Sequence, residues 1–585
     1  MQPRLCNRVM TVGLLAWLLL AAAPPVVPVV PLSEVEPGLK GLGWSVFVGH
    51  EPEQFEVEVL GVWNKVSPDT SYILSRLSGH GLEESGVIAG MSGSPVYVGD
   101  RLLGAIAFSW PFASEAIAGI TPIESMRALA NVPAMPVRTA AGDVVAVSDL
   151  LRPQASREQL VAGLARLGGD GGAGPVGLLW SAVGFGDTSR ELLGEAVGTV
   201  VAAGRTEDAA VGLQPGDAVA AVLIDGDLRL AATGTVTDRL GDSVLAFGHS
   251  FLSLGDVEVP MAAAEIVAVV PSLASSFKIA NVGRVLGSFD RDRPAGIRGT
   301  VGAEAPMVPL DIEVRGASTR RFEMRLARIP PLAGALVASA VLGAIDAVGG
   351  AGGEQRLDLR AEMTLAGRPP LVIEQTFDGA GASIGVALHL LNVVGFLANN
   401  ALSEVEIDSI AIELEQSRER SSTRIVAAHP SRRIVEPGSM LDLMVELDPY
   451  RGESRRHRLS LRLPRDLQPG RYMLLVGDGT SIDVARLEIE KFEPTRLSQV
   501  LEFLSGLHSR SQLAVLGVAR ARGLAVDGET LPRLPGSIRE IWGAGARSGV
   551  TGLRTAIRQE LWENLDVPLE GLVRVDLMVR AEGSR

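Results

Sequence analysis

Phe55-Glu56-Val57-Glu58-Val59 alternates apolar and charged side chains with a period of two, a pattern that a strand sorts onto two faces and a helix scatters around its axis. The pattern recurs along the chain. Pro95-Val96-Tyr97-Val98 meets Leu102-Leu103-Gly104-Ala105-Ile106-Ala107-Phe108 across Gly99-Asp100, and Val405-Glu406-Ile407-Asp408 alternates again. Runs of about four to eight residues closed by Gly, Pro or Asp read as strands joined by tight turns. With 67 Gly and 34 Pro to supply those turns, the chain is expected to be mainly β, with an α/β tail. At 585 residues it is too long for a single core, so several domains are expected.

Residues 1–32 carry Arg4 and Arg8 ahead of an uncharged run from Val9 to Leu32, with Leu18-Leu19-Leu20 followed by Ala21-Ala22-Ala23. That is the pattern of a secretory signal. It predicts export to the periplasm or cell envelope by a cleaved leader; a retained segment would associate the protein with the membrane through its N-terminus. The sole cysteine, Cys6, precedes this run, so no disulfide is expected. The composition then divides the chain into a β unit at 33–135, a helical insertion at 136–195 broken by Gly168-Gly169-Asp170-Gly171-Gly172-Ala173-Gly174, and a second β unit at 196–385. The second unit contains an apolar helix over Leu332 to Val348. A β-sandwich at 386–492 and a mixed α/β domain at 493–585 complete the division; Leu497, Val500, Leu501 and Leu504 give the latter a helical stripe.

The net charge is −14, and the basic residues are interspersed with acidic ones, which excludes a stripe able to neutralise a row of phosphates. No nucleic-acid partner is expected. His50-Glu51-Pro52-Glu53-Gln54 fails the His-Glu-x-x-His zinc pattern at its last position, and no phosphate-binding glycine loop occurs. No metal or cofactor is therefore expected. Ser275-Ser276-Phe277-Lys278 has the Ser-x-x-Lys form, but no Lys-Thr-Gly follows it, and it reads as chance.

The segment Gly90-Met91-Ser92-Gly93-Ser94-Pro95 carries the chemistry. Glycines on both sides of a serine let the backbone turn tightly and aim N–H groups at an oxyanion beside the hydroxyl. A turn before a hairpin would use the same residues. The segment is similar to the Gly-x-Ser-Gly-Gly-Pro loop of chymotrypsin-like peptidases, which implies Ser92 as nucleophile and the N–H groups of Gly90 and Ser92 as oxyanion donors. Together with Val57-Glu58-Val59-Leu60-Gly61-Val62, Ala118-Gly119-Ile120-Thr121-Pro122-Ile123 and Gly241-Asp242-Ser243-Val244-Leu245-Ala246-Phe247-Gly248-His249-Ser250-Phe251, it resembles the stage IV sporulation protein B (SpoIVB) family of serine peptidases over about residues 40–310. The resemblance implies a chymotrypsin-like double β-barrel, hydrolysis of a protein or peptide substrate, and His249 as general base and acid.

Three features depart from the family. The serine segment precedes the histidine segment, a circularly permuted order, and no PDZ domain is evident. The family's Asp upstream of the serine also has no counterpart near Leu77-Ser78-Gly79, so Asp292 is taken as the acidic member, with Asp242 and Asp69 open. His80 is the rival base. The alternative to a peptidase is a catalytically inactive, peptidase-like envelope scaffold.

Overall fold

The computed structural model describes residues 27–67, 70–131, 150, 156–168, 178–206, 212–349, 353–526, 529–531, 534–543, 550–565 and 567–580. Residues 1–26 of the expected leader, with Cys6, together with Asp69 and most of the glycine run at 168–174, lie outside them. The protein is mainly β, with 51% strand against 20% helix.

Six strands, β1 (Lys40–Val46), β2 (Pro52–Ser67), β3 (Thr70–Ser78), β4 (Pro95–Val98), β5 (Arg101–Ser109) and β6 (Ile117–Pro122), close into a barrel in the order β1-β2-β3-β6-β5-β4. The alternation at 55–59 is the cause: Phe55, Val57 and Val59 fill the interior, while Glu56 and Glu58 face out to Ser78 and Arg76 on β3. Closure leaves no unpaired strand edge.

A second set follows: β7 (Leu179–Val183), β8 (Val200–Ala202), β9 (Ala218–Gly226), β10 (Arg229–Leu240), β11 (Ser243–Ala246), β12 (Gly255–Val270), β13 (Phe277–Arg293) and β14 (Gly296–Val301). These belong to a sheet of 13 strands in which β9 pairs with both β12 and β10. The antiparallel pairs β9–β10, β10–β11, β11–β14, β14–β13, β13–β12 and β12–β9 therefore form a second ring. Numbered from its own first strand, each ring runs first, second, third, sixth, fifth, fourth and back to first. The same topology occurs twice.

Strands Met307–Arg315, Thr319–Ala327, Gln355–Leu365, Leu371–Gly379 and Ile407–Ser417 extend the large sheet. Two apolar helices, Ala333–Ala347 and Ala382–Asn399, pack on its core. They approach closely enough that a Cβ at Gly334 would lie 2.2 Å from the Leu391 carbonyl. By length and composition the spans Pro330–Ala347 and Ala382–Asn399 could cross a membrane, but both are mostly buried within the protein.

The sandwich expected at 386–492 begins later and ends later. Strand Ile407–Ser417 belongs to the large sheet, and the C-terminal strand Leu569–Glu570 pairs with Thr423–Pro430. A four-stranded and a six-stranded sheet then share one core around Leu443, Leu461, Tyr472, Leu474, Val515 and Val575. Strands on either side of residue 492 are thus interleaved. The predicted stripe forms helix Leu497–Ser505, which buries Leu497, Val500 and Leu504.

Candidate functional site

Ser92 lies on the connection between the third and fourth strands of the first ring, and His249 lies on the corresponding connection of the second. Each connection is held by the opposite ring. The Ser92 carbonyl accepts from Thr235 N–H at 2.8 Å, the Gly90 and Gly93 carbonyls accept from the hydroxyls of Thr235 and Thr237, and Ala89 bridges to the start of β13. In return, Thr121 Oγ1 on β6 donates to the Gly248 carbonyl at 2.6 Å. The two connections therefore meet between the rings.

Gly90 and Gly93 take φ of +98° and +94°, the left-handed half of the map that side chains disfavour. Within this loop the N–H groups of Met91, Gly93 and Ser94 are consumed by the carbonyls of Ile88, Ile106 and Met91. Those of Gly90 and Ser92 have no hydrogen bond among the described residues. They are the two expected as oxyanion donors, and they remain free to donate to a ligand. Ser92 is 4% exposed, and its hydroxyl likewise makes no hydrogen bond among the described residues.

The His249 segment is strained, with φ of +68° at Phe247 and at Gly248. For a bulky residue such as Phe247 this conformation is rare and persists only when surroundings impose it. The imidazole Nδ1 lies 2.7 Å from the Ser250 carbonyl oxygen. A carbonyl only accepts, so Nδ1 carries the proton and Nε2 holds a lone pair. Nε2 is buried without a partner among the described residues, and burial depresses the imidazole pKa, keeping the ring neutral. That is the tautomer of a general base, but no hydrogen bond joins Nε2 to Ser92.

Asp292 ends the fifth strand of its ring and reaches the histidine segment, though not the ring nitrogen. Its oxygens accept from the N–H groups of Phe251 and Leu252 at 2.7 Å and of Leu254 at 3.0 Å. Burial pushes its carboxyl above the ordinary value, against the pull of those three bonds and of Arg293. Neither neighbouring arginine takes Asp292 in an ion pair; Arg291 and Arg293 both pair with Asp256. Asp292→Ala strands three N–H groups in the interior and is expected to cost about 3 kcal/mol or more, read as a lowered urea midpoint. His249→Ala strands none of them and serves as the milder comparison.

The remaining candidates fall elsewhere. His80 stacks on Phe47 with centroids 4.5 Å apart and lies 3.6 Å from Glu53, while Asp242 sits in an exposed turn. No cluster of three or more His, Cys, Asp or Glu side chains able to hold a metal occurs among the described residues.

Sequence reasoning met Lys278 only in a Ser-x-x-Lys match that it dismissed as chance. The lysine is fully buried on β13, with Nζ 2.8 Å from Ser45 Oγ, and Ser94 donates to the same Ser45 oxygen at 3.0 Å. Burial pulls its pKa down to about 7. The available signal was its rarity: it is one of four lysines in a chain whose other basic residues are arginine, and it interrupts an apolar strand. Comparison with known proteins finds no match for this chain among protein-family models, curated proteins or solved structures.

Proposed function

We propose that the protein is an exported serine endopeptidase of the SpoIVB type, built on a chymotrypsin-like pair of β-barrels in permuted order. One observation carries the reading: the repeated strand order sets Ser92 and His249 on equivalent connections that meet between the rings. Ser92 Oγ attacks the substrate carbonyl as His249 Nε2 takes its proton, forming an acyl-enzyme once the leaving amine recovers that proton. Water then repeats the sequence, and Ser92 is regenerated. The N–H groups of Gly90 and Ser92 hold the oxyanion. The Ser250 carbonyl fixes the imidazole tautomer, a task that an aspartate performs in other triads. Asp292 shapes the loop that carries His249.

The scaffold reading draws on the absence of a Ser92–His249 hydrogen bond and on their burial at 4% and 7% exposure. Such bonds often form only when substrate is bound. A fluorophosphonate probe separates the two readings. Wild type is expected to label at Ser92, with labelling lowered about 10³-fold or more in Ser92→Ala and His249→Ala. Folded wild type that stays unlabelled overturns the peptidase reading.

A further inference from the structure

A lysine with no counter-ion in a protein interior is costly, and it survives mainly where its chemistry is used. Lys278 is such a residue. Its amine bonds to Ser45 on β1, Ser45 bonds to Ser94, and Ser94 is two residues from Ser92. The Lys278 side chain also runs along the loop: a Cβ at Gly90 would lie 3.1 Å from its Cδ. Ser45, Ser94 and Lys278 are all fully buried, so none of them can meet a substrate. The line therefore acts on the loop and not on the peptide.

We propose that Lys278 is a positioning residue for the Ser92 loop, acting as an uncharged amine through Ser45 and Ser94. This rests on the peptidase reading for its effect on catalysis, though not for its effect on the loop. The amine meets one hydroxyl, that of Ser45, and the face of Phe47, whose centroid 5.7 Å from Nζ offsets too little of a buried charge to hold it. A proton on the amine places an unpaired charge there, which draws in water or displaces the loop. Among the described residues no acidic side chain pairs with that amine. On β12, Glu265 is engaged by Asn281 and His50; before the loop, Glu83 accepts from Gly79 N–H; beyond Phe47, His80 lies beside Glu53. His249, on the β11–β12 connection of the same ring as Lys278, is itself neutral.

The rate of fluorophosphonate labelling against pH tests this. Labelling needs both His249 and Lys278 uncharged, so the acid limb of wild type is set by the higher pKa, that of Lys278, at about 7. In Lys278→Met the limb moves below the ordinary histidine value of 6.5, and the alkaline plateau falls about 10- to 100-fold because the loop has lost its brace. Ser45→Ala breaks the line with a smaller change in volume and should lower the plateau in the same way. Hydrogen exchange over residues 86–98 reads the loop without any chemistry: wild type loses protection, relative to Lys278→Met at the same pH, as pH falls through 7. Labelling of wild type with an unshifted limb in the variant, and no difference in exchange, overturns the positioning role and leaves the peptidase reading standing. An unlabelled wild type that still shows the exchange step does the reverse.

Discussion

Gly93→Ala is expected to destabilise the paired rings by about 3–6 kcal/mol and to abolish labelling at Ser92. A Cβ at this position would lie 2.0 Å from the Thr235 carbonyl oxygen, 2.5 Å from Phe247 N and 3.0 Å from Phe247 Cα. All three atoms are backbone, so no side chain can rotate away. Relief requires β10 and the His249 segment to withdraw from the serine loop, which separates the two connections that form the site. The φ of +94° adds strain that any side chain would meet, about 1–2 kcal/mol. Gly81→Ala supplies the control. Its φ of +76° carries similar strain, but nothing lies within 4 Å of the added methyl. The urea midpoint should fall far more for Gly93→Ala than for Gly81→Ala; equal shifts would mean that the rings are not pressed together at this glycine.

The parts of this arrangement legible in the sequence were those written in side-chain periodicity or in turn residues. Alternation at Phe55 to Val59 predicts a strand with one buried face, and the Gly99-Asp100 turn predicts the β4–β5 hairpin, because both depend only on neighbours in the chain. Ring closure is different. The pairings β1 with β4 and β9 with β12 join segments far apart in sequence, and no local pattern encodes their register. The Ser92 loop announced itself through its glycines, yet the group that orients His249 could not, because it is the Ser250 carbonyl, and a backbone acceptor leaves no residue-specific trace. Asp292 was taken as the acidic member because no carboxylate stands at Leu77-Ser78-Gly79, upstream of Ser92. What position in the chain cannot convey is which atoms a carboxylate meets, and here they are three backbone N–H groups.

Lys278→Met is expected to stabilise the protein at neutral pH while it impairs the loop. The unfolded lysine titrates at its ordinary 10.5 and the folded one at about 7. Between those values the unfolded state binds more protons, so this residue's contribution to stability rises with pH across that window and is fully lost below it. A gap of this size corresponds to about 4–5 kcal/mol at pH 7, shrinking toward zero near pH 10.5. Methionine has similar bulk, no charge to desolvate and the flexibility to fill the channel beside Gly90. Ser45 keeps its bond from Ser94, so no hydroxyl is orphaned by the exchange. Urea unfolding followed by tryptophan fluorescence at pH 7, 8, 9 and 10 should show the variant well above wild type at pH 7 and the two curves converging toward pH 10. A wild type as stable as the variant at pH 7 would mean that the amine is solvated or paired. A gain in stability coupled to a loss of labelling is what a side chain retained for function at the expense of folding predicts. A lysine serving only to hold the two rings together would lose both when replaced.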